Sequence, residues 1–231
     1  MASIQFTVMY SQIARPYISG LFFSLLMVLY WSKIILDQSK RFNKNYLGFI
    51  ISASLCTYNH YFSLLFAVIV GISGLFFINR KHLFNYGLSG IVILLLFLPH
   101  FSIFIYQLKL GGVGGWLGKP NNDFLLRFIY YIFNFSYIPL TLALGLMLFG
   151  IYKIRPGDFK IKKIILFGSW FLLPFLIGFY YSRYFSAVLQ YSVLIFSFHF
   201  LYFVLFSHIK PQKPITNLIL VSIILGVNIF H

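Results

Sequence analysis

Apolar runs too long for a soluble core, separated by short basic loops, decide what this chain of 231 residues can fold into. A hydrocarbon core about 30 Å thick takes about 20 helical residues to cross. Inside it every backbone N–H and C=O must find a partner within the chain, which a helix achieves and an open strand does not. Sixty per cent of the residues are hydrophobic and only 9% are charged, where a soluble domain carries about 25%. Mean hydropathy is +0.88. Aromatic residues make up 22%, and many fall near the ends of the runs, where aromatic belts meet head groups. The expectation is an all-α, polytopic integral membrane protein, with residues 1–231 forming a single transmembrane domain of about eight crossings.

The first crossing covers residues 17–36. The stretch 46–78 is too long for one helix and is broken by Tyr58-Asn59-His60-Tyr61, so it reads as two shorter helices meeting at one face. Asn79-Arg80-Lys81-His82 closes that pair. The fourth crossing covers 84–106 and is followed by a glycine-rich loop, 107–122. Asn122 or Asp123 is placed to cap an interfacial helix that leads into a fifth crossing ending near Tyr152. A basic loop around Pro156-Gly157 carries a turn signal. The sixth crossing is 164–181, Ser182-Arg183 makes a tight turn, the seventh is 184–206, and the eighth runs from the loop 208–213 to the end of the chain.

Eighteen Lys and Arg face three acids, Asp37, Asp123 and Asp158, for a formal charge of +15. Such basicity in a soluble protein would point to nucleic acid. Here the cations alternate between loops, so the partners are membrane lipids and no nucleic acid. Lys33, Lys40, Arg41, Lys44, Arg80, Lys81, Lys153, Arg155, Lys160, Lys162, Lys163, Lys210 and Lys213 fall on one side. Arg15, Lys109, Lys119, Arg127 and Arg183 fall on the other. The positive-inside rule makes the first side cytoplasmic and puts both termini outside. Cys56 stands alone, so no internal disulfide forms. No cleavable signal is evident, because residues 1–10 lack a basic start.

Ionisable groups at a helix mouth are costly and mark functional candidates. Arg15, in Tyr10-Ser11-Gln12-Ile13-Ala14-Arg15-Pro16-Tyr17, is placed to clamp a phosphate by charge-assisted bonds or to anchor its helix at the interface. Tyr17 follows it. Tyr58, His60 and Tyr61 either line a cavity on the same face or form a plain polar turn. His100, after Pro99, is presented by a kink or snorkels to the surface. Arg183 and Tyr184 either contact lipid phosphate or pyrophosphate or anchor the chain. The run Gly111-Gly112-Val113-Gly114-Gly115-Trp116 follows no strand, so it is not a nucleotide loop. It is a mobile outer loop or a connector, with Trp116 stacking on a sugar or sitting at the interface. The sequon-like Asn134-Phe135-Ser136 falls near or in the membrane and carries no weight. A pair of carboxylates, a His/Cys metal cluster and a Ser-His-Asp set are all missing.

Several of these words resemble those of the bacterial relatives of protein mannosyltransferases, polytopic glycosyltransferases of the GT-C type. In that family a "Tyr-Ser-Gln-x-Ala-Arg-Pro-Tyr" run precedes a transmembrane helix on the outer face, matching residues 10–17. Thr57-Tyr58-Asn59-His60-Tyr61-Phe62 is similar to its "Thr-x-x-His-Tyr-Phe" run, and Leu98-Pro99, Gly112 to Trp116 and Arg183-Tyr184 follow in the same order. The resemblance implies transfer of a sugar from a polyprenyl-phosphate donor to a lipid, glycan or protein acceptor, at the outer face of the inner membrane. Arg15, and after it Arg183, would bind the donor phosphate. Tyr17, Tyr58, His60, Tyr61, His100, Trp116 and Tyr184 would line the cavity. A divalent metal belongs to the expectation for the complete enzyme. The chain departs from "Gln-Glu-Ala-Arg" in having Ile13 in place of Glu. The family's catalytic acid lies in the first outer loop, and this chain begins beyond it, so it reads as the central and later membrane portion. The alternative is a non-enzymatic carrier, flippase-like or assembly subunit for lipid-linked intermediates.

Overall fold

The computed structural model of the chain describes residues 5–12, 15–36, 42–110, 117–152 and 161–206, and every regular element among them is a helix. They are α1 (Gln5–Gln12), α2 (Tyr17–Leu36), α3 (Lys44–Asn59), α4 (Tyr61–Phe77), α5 (Leu83–Leu110), α6 (Phe124–Ile132), α7 (Tyr137–Tyr152), α8 (Ile161–Tyr184) and α9 (His199–Phe206). Short 3₁₀ turns cover Arg80–His82 and Ser192–Phe196. Contacts group the chain into two compact units. One holds Arg15–Pro120 with Leu172–Ser197; the other holds Met1–Ala14, Asn121–Phe171 and Phe198–His231.

The first unit is built on α2 to α5. Pro16 stands just before α2, where its fixed φ suits a helix start and its missing N–H costs nothing. The Asn43 side chain caps α3 by accepting from the Asn45 N–H at 2.9 Å. The break expected at residues 58–61 falls on one residue, His60, which ends α3 and caps α4. Asn79 caps the 3₁₀ turn that leads into α5. Helices α2 and α3 run antiparallel. Asn59 Nδ2 donates to Ser19 Oγ at 2.8 Å, Ser24 meets Cys56 mid-helix, and Tyr30 lies over Gly48 at the far end. Helix α4 returns beside α3, and Tyr86 at the start of α5 reaches back to donate to the Gly71 carbonyl at 2.8 Å. A Cβ at Gly20 would collide with Asn59 and Phe196, and one at Gly74 with Tyr86 and Trp31. Both positions therefore set how closely the helices approach.

Eight crossings are not what the helices provide. Among the described residues, α2, the stretch Arg80–Leu110 and α8 are long and apolar enough to cross a membrane, and α6 with α7 would make a fourth, bent by 92°. Helices α3 and α4 have 16 and 17 residues and rise about 24 and 26 Å at 1.5 Å per residue, short of a roughly 30 Å core. The tight turn expected at Ser182-Arg183 is absent, because α8 continues to Tyr184. The expected seventh crossing, 184–206, is also no single helix. After α8 the chain is irregular over 186–190, makes the turn Ser192–Phe196 and ends in eight residues of α9. The cause is local competition: buried Ser182 accepts from the Val188 and Leu189 N–H groups at 3.1 and 2.8 Å, drawing those donors from a helical ladder. Residues 192–200 are all buried, so their apolarity serves protein packing rather than lipid contact. The expected eighth crossing lies outside the described residues.

In the second unit aromatic rings make the core. Phe6 of α1, wholly buried, meets Phe128 and Tyr131 of α6 and Phe198 edge-on, with centroids 4.9 to 5.7 Å apart. Trp170 and Phe200 pack edge to face at 5.0 Å. Asp123 stands at the N-cap position of α6 but makes no capping bond, contrary to expectation. Its carboxylate pairs with Arg127 one turn on, at 2.5 Å. The corner between α6 and α7 places Asn134 and Phe135 at φ 57° and 54°. Ser136 then accepts from the Ile138 N–H at 3.3 Å to start α7.

Packing at Gly20 yields a direct expectation. Gly20→Ala should lower thermal stability in detergent by the equivalent of about 1–3 kcal/mol, the usual cost of overpacking. Gly168→Ala, where a Cβ meets open space, should leave the melting temperature unchanged or raise it. Equal melting temperatures for both variants would mean that the α2–α3 approach is not set by Gly20.

Candidate functional site

The turn between α3 and α4 gathers most of the polar and aromatic candidates into two neighbouring clusters within the first unit. One is centred on His60. Its Nδ1 accepts from the Phe62 N–H at 3.1 Å, a cap that fixes the imidazole as the neutral tautomer protonated on Nε2. The buried Tyr17 ring lies 6.1 Å from the imidazole, and the Phe196 ring lies 5.5 Å away. Asn59, bonded to Ser19, closes the group from beside Gly20. Arg15 precedes α2 two residues before Tyr17 and is exposed, with its carbonyl accepting from the Tyr17 N–H at 2.8 Å.

The second cluster joins Tyr58, Tyr61 and His100. The His100 ring is 5.4 Å from Tyr58 and 6.5 Å from Tyr61. The Tyr61 hydroxyl donates to Gln107 Oε1, and Tyr58 donates to the Leu96 carbonyl at 2.5 Å. That carbonyl is next to the Leu95 carbonyl, which loses its helical donor to Pro99, the proline inside α5. His100, Phe104 and Gln107 are spaced i, i+4, i+7 and share one face of α5, so α5 presents a stripe to the start of α4.

Arg183 and Tyr184 belong to the last turn of α8. The Arg183 guanidinium sits over the Phe179 ring at 6.0 Å, and the exposed Tyr184 stacks on Tyr180. Trp116 and the rest of 111–116 lie outside the described residues, as do Asp37 and Asp158. Ser19, Gln107, Phe196 and Ser182 are partners that sequence reasoning passed over. Gln107 carried a usable signal, its helical spacing from His100. Phe196 carried none, since its approach to His60 depends on the chain returning after α8.

Chemically, the clusters offer hydrogen-bond donors, acceptors and ring faces without a carboxylate. Asp123, the described acid, lies in the other unit and is committed to Arg127. Among the described residues no three His, Cys, Asp or Glu side chains come together to hold a metal ion, so the divalent metal implied by the resemblance finds no ligand set there. Burial lowers the pKa of His60 from 6.5 to about 4, in line with an Nδ1 already used as an acceptor. Compared with known proteins, the chain matches no family, no curated protein and no solved structure.

His60 stands in the turn, outside both helices, and gives the fold a defined acid sensitivity. The unfolded residue takes up its proton near pH 6.5, the folded one only near pH 4. The unfolded state therefore binds more protons between these values. Stability should fall as pH drops through that window, with a slope of at most about 1.4 kcal/mol per pH unit, and level off below it. Melting curves from pH 7.5 to 4.5 should show a smaller fall for His60→Asn, which caps α4 without titrating. Parallel curves would show that His60 does not set the acid sensitivity.

Proposed function

We propose that the chain is a membrane portion of a glycosyltransferase of the GT-C type, and that it holds a polyprenyl-phosphate-linked sugar donor at the outer face of the inner membrane. The observation that carries this reading is the placement of Arg15 beside α2 at the bundle end where Tyr17, Asn59, His60, Tyr58, Tyr61 and His100 gather. A guanidinium suits a phosphate through bidentate bonds, and neutral hydroxyl, amide and imidazole groups suit the hydroxyls of a sugar. Support for the orientation comes from the opposite end of the same helices, where Lys33, Lys44, Arg80 and Lys81 lie. Under the positive-inside rule that end faces the cytoplasm and the clusters face outward, with a multi-pass topology that includes α3 and α4 as short spans.

A second reading, a carrier or assembly subunit for lipid-linked intermediates, is favoured by one observation. The described carboxylate is held in an ion pair with Arg127. A carboxylate within hydrogen-bond reach is one way to activate an acceptor hydroxyl, and the described residues of the clusters include none. Binding and chemistry are therefore expected to separate. Purified chain in nanodiscs should bind polyprenyl phosphate and show no sugar transfer. Arg15→Ala should weaken that binding by about one to two orders of magnitude, since a charge-assisted bond contributes roughly 1.5–3 kcal/mol, and Lys should restore it only in part. Unchanged affinity in a well-folded alanine variant would remove Arg15 from the site. Transfer by the unaided chain would overturn the separation.

Sidedness has its own test. Cys56 is wholly buried, so background labelling should be low. A cysteine placed at Lys81 should resist an impermeant maleimide in intact cells, whereas one at Gly118 should react. The reverse pattern would invert the topology.

A further inference from the structure

Helices α4 and α5 both pack on α3, and the space between them is an apolar groove of about 500 Å³. Phe49, Ala53 and Thr57 of α3 form its floor. Leu64, Val68 and Leu75 run along one wall, and Ile91, Leu94 and Phe97 along the other. From Leu64 to Leu75 the groove extends about 16 Å at 1.5 Å per residue, roughly half the depth of a 30 Å hydrocarbon core. That is the reach of one lipid tail within one leaflet. Three glycines, Gly71, Gly87 and Gly90, open into it, and a Cβ at any of them meets nothing within 4 Å. These glycines therefore differ from Gly20 and Gly74: no described helix uses the room they leave. In the apolar 18-residue window within Arg80–Leu110 only 6% is buried, so this part of α5 leaves most of its surface uncovered by the described residues.

The groove has a chemically distinct end. Gly87 and Ile91 also line a second hollow of about 510 Å³ whose wall includes Arg80. Lys81 is the next residue in the 3₁₀ turn, and both are exposed. Lys33 and Lys44 stand at the same end of the bundle. Among the described residues of this unit there is no Asp or Glu to offset the charge. A passing helix would fill the groove but leave these cations unmatched. A neutral lipid would do the same.

We infer that this groove is a binding site for one anionic phospholipid, with an acyl chain along Gly71, Gly87 and Gly90 and the phosphate on Arg80 and Lys81. The phosphate end of the site lies at the opposite end of α2–α5 from His60, and the assignment does not depend on the donor-binding reading. Lipid held there would complete the wall between α4 and α5 and so support the bundle that carries the clusters.

The test uses the full chain, stripped of lipid in detergent and titrated with phosphatidylglycerol or phosphatidylcholine. Bound lipids are counted by native mass spectrometry and stability is read by thermal melting. Wild type should retain one phosphatidylglycerol and be stabilised by it more than by phosphatidylcholine. Gly90→Leu, whose Cβ meets open space and whose side chain enters the groove, should lose that bound lipid and its stabilisation, while Gly90→Ala should keep both. Arg80→Gln with Lys81→Gln should weaken phosphatidylglycerol about 25-fold, at about fivefold per cation, and leave phosphatidylcholine unchanged. Retention of the lipid by a folded Gly90→Leu chain would overturn the assignment. So would equal affinity for the two lipids in wild type, or loss of a dimer on filling the groove, which would make the occupant a second copy.

Discussion

The approach of α2 to α3 and α4 is set where side chains are missing. Over Gly20 lies the Asn59 amide, and over Gly74 lie Tyr86 and Trp31. Apolar helices in lipid gain little from the hydrophobic effect on meeting each other, so close packing through small residues and interhelical hydrogen bonds must hold them. Asn59 contributes both, packing over Gly20 and bonding Ser19. His60 follows directly, and its ring can therefore lie beside Tyr17 and against Phe196. At the other end Tyr86 ties α5 to α4 through the Gly71 carbonyl and stacks on Phe49 of α3.

Polar side chains inside the apolar helices are dealt with locally. Ser32, Ser52, Thr57, Ser73, Ser89 and Ser169 each donate to a carbonyl three or four residues back. Such bonds hide a hydroxyl at little cost to the ladder. Ser182 is used differently. Its oxygen accepts two backbone N–H groups from the chain beyond α8, and a polar atom there determines where a helix gives way to a buried, irregular return.

The two ends of α2–α5 differ in chemistry in a way that suits different parts of a lipid environment. One end combines an exposed Arg15 with the hydrogen-bonding rings of Tyr17, Tyr58, His60, Tyr61 and His100. At the other end Arg80 and Lys81 stand beside a groove that no described helix fills.

Sequence by itself determined the helical class, the break at His60, the turn at Arg80 to His82, and the residues able to carry charge or hydrogen bonds at each helix end. These follow from composition, run length and capping side chains, which act over a few residues. It did not determine how many runs are crossings. An apolar run is equally apolar whether it faces lipid or protein, and residues 192–200 prove to be packed inside the protein. Nor did it separate the glycines: Gly20 and Gly74 admit another helix, whereas Gly71, Gly87 and Gly90 leave a groove open. Within the candidate site, Tyr58, His60 and Tyr61 were legible as one word of sequence. Their division between two clusters, with Phe196 joining one and Gln107 the other, was decided only by tertiary structure, because those contacts join residues far apart in the chain and depend on how the helices pack.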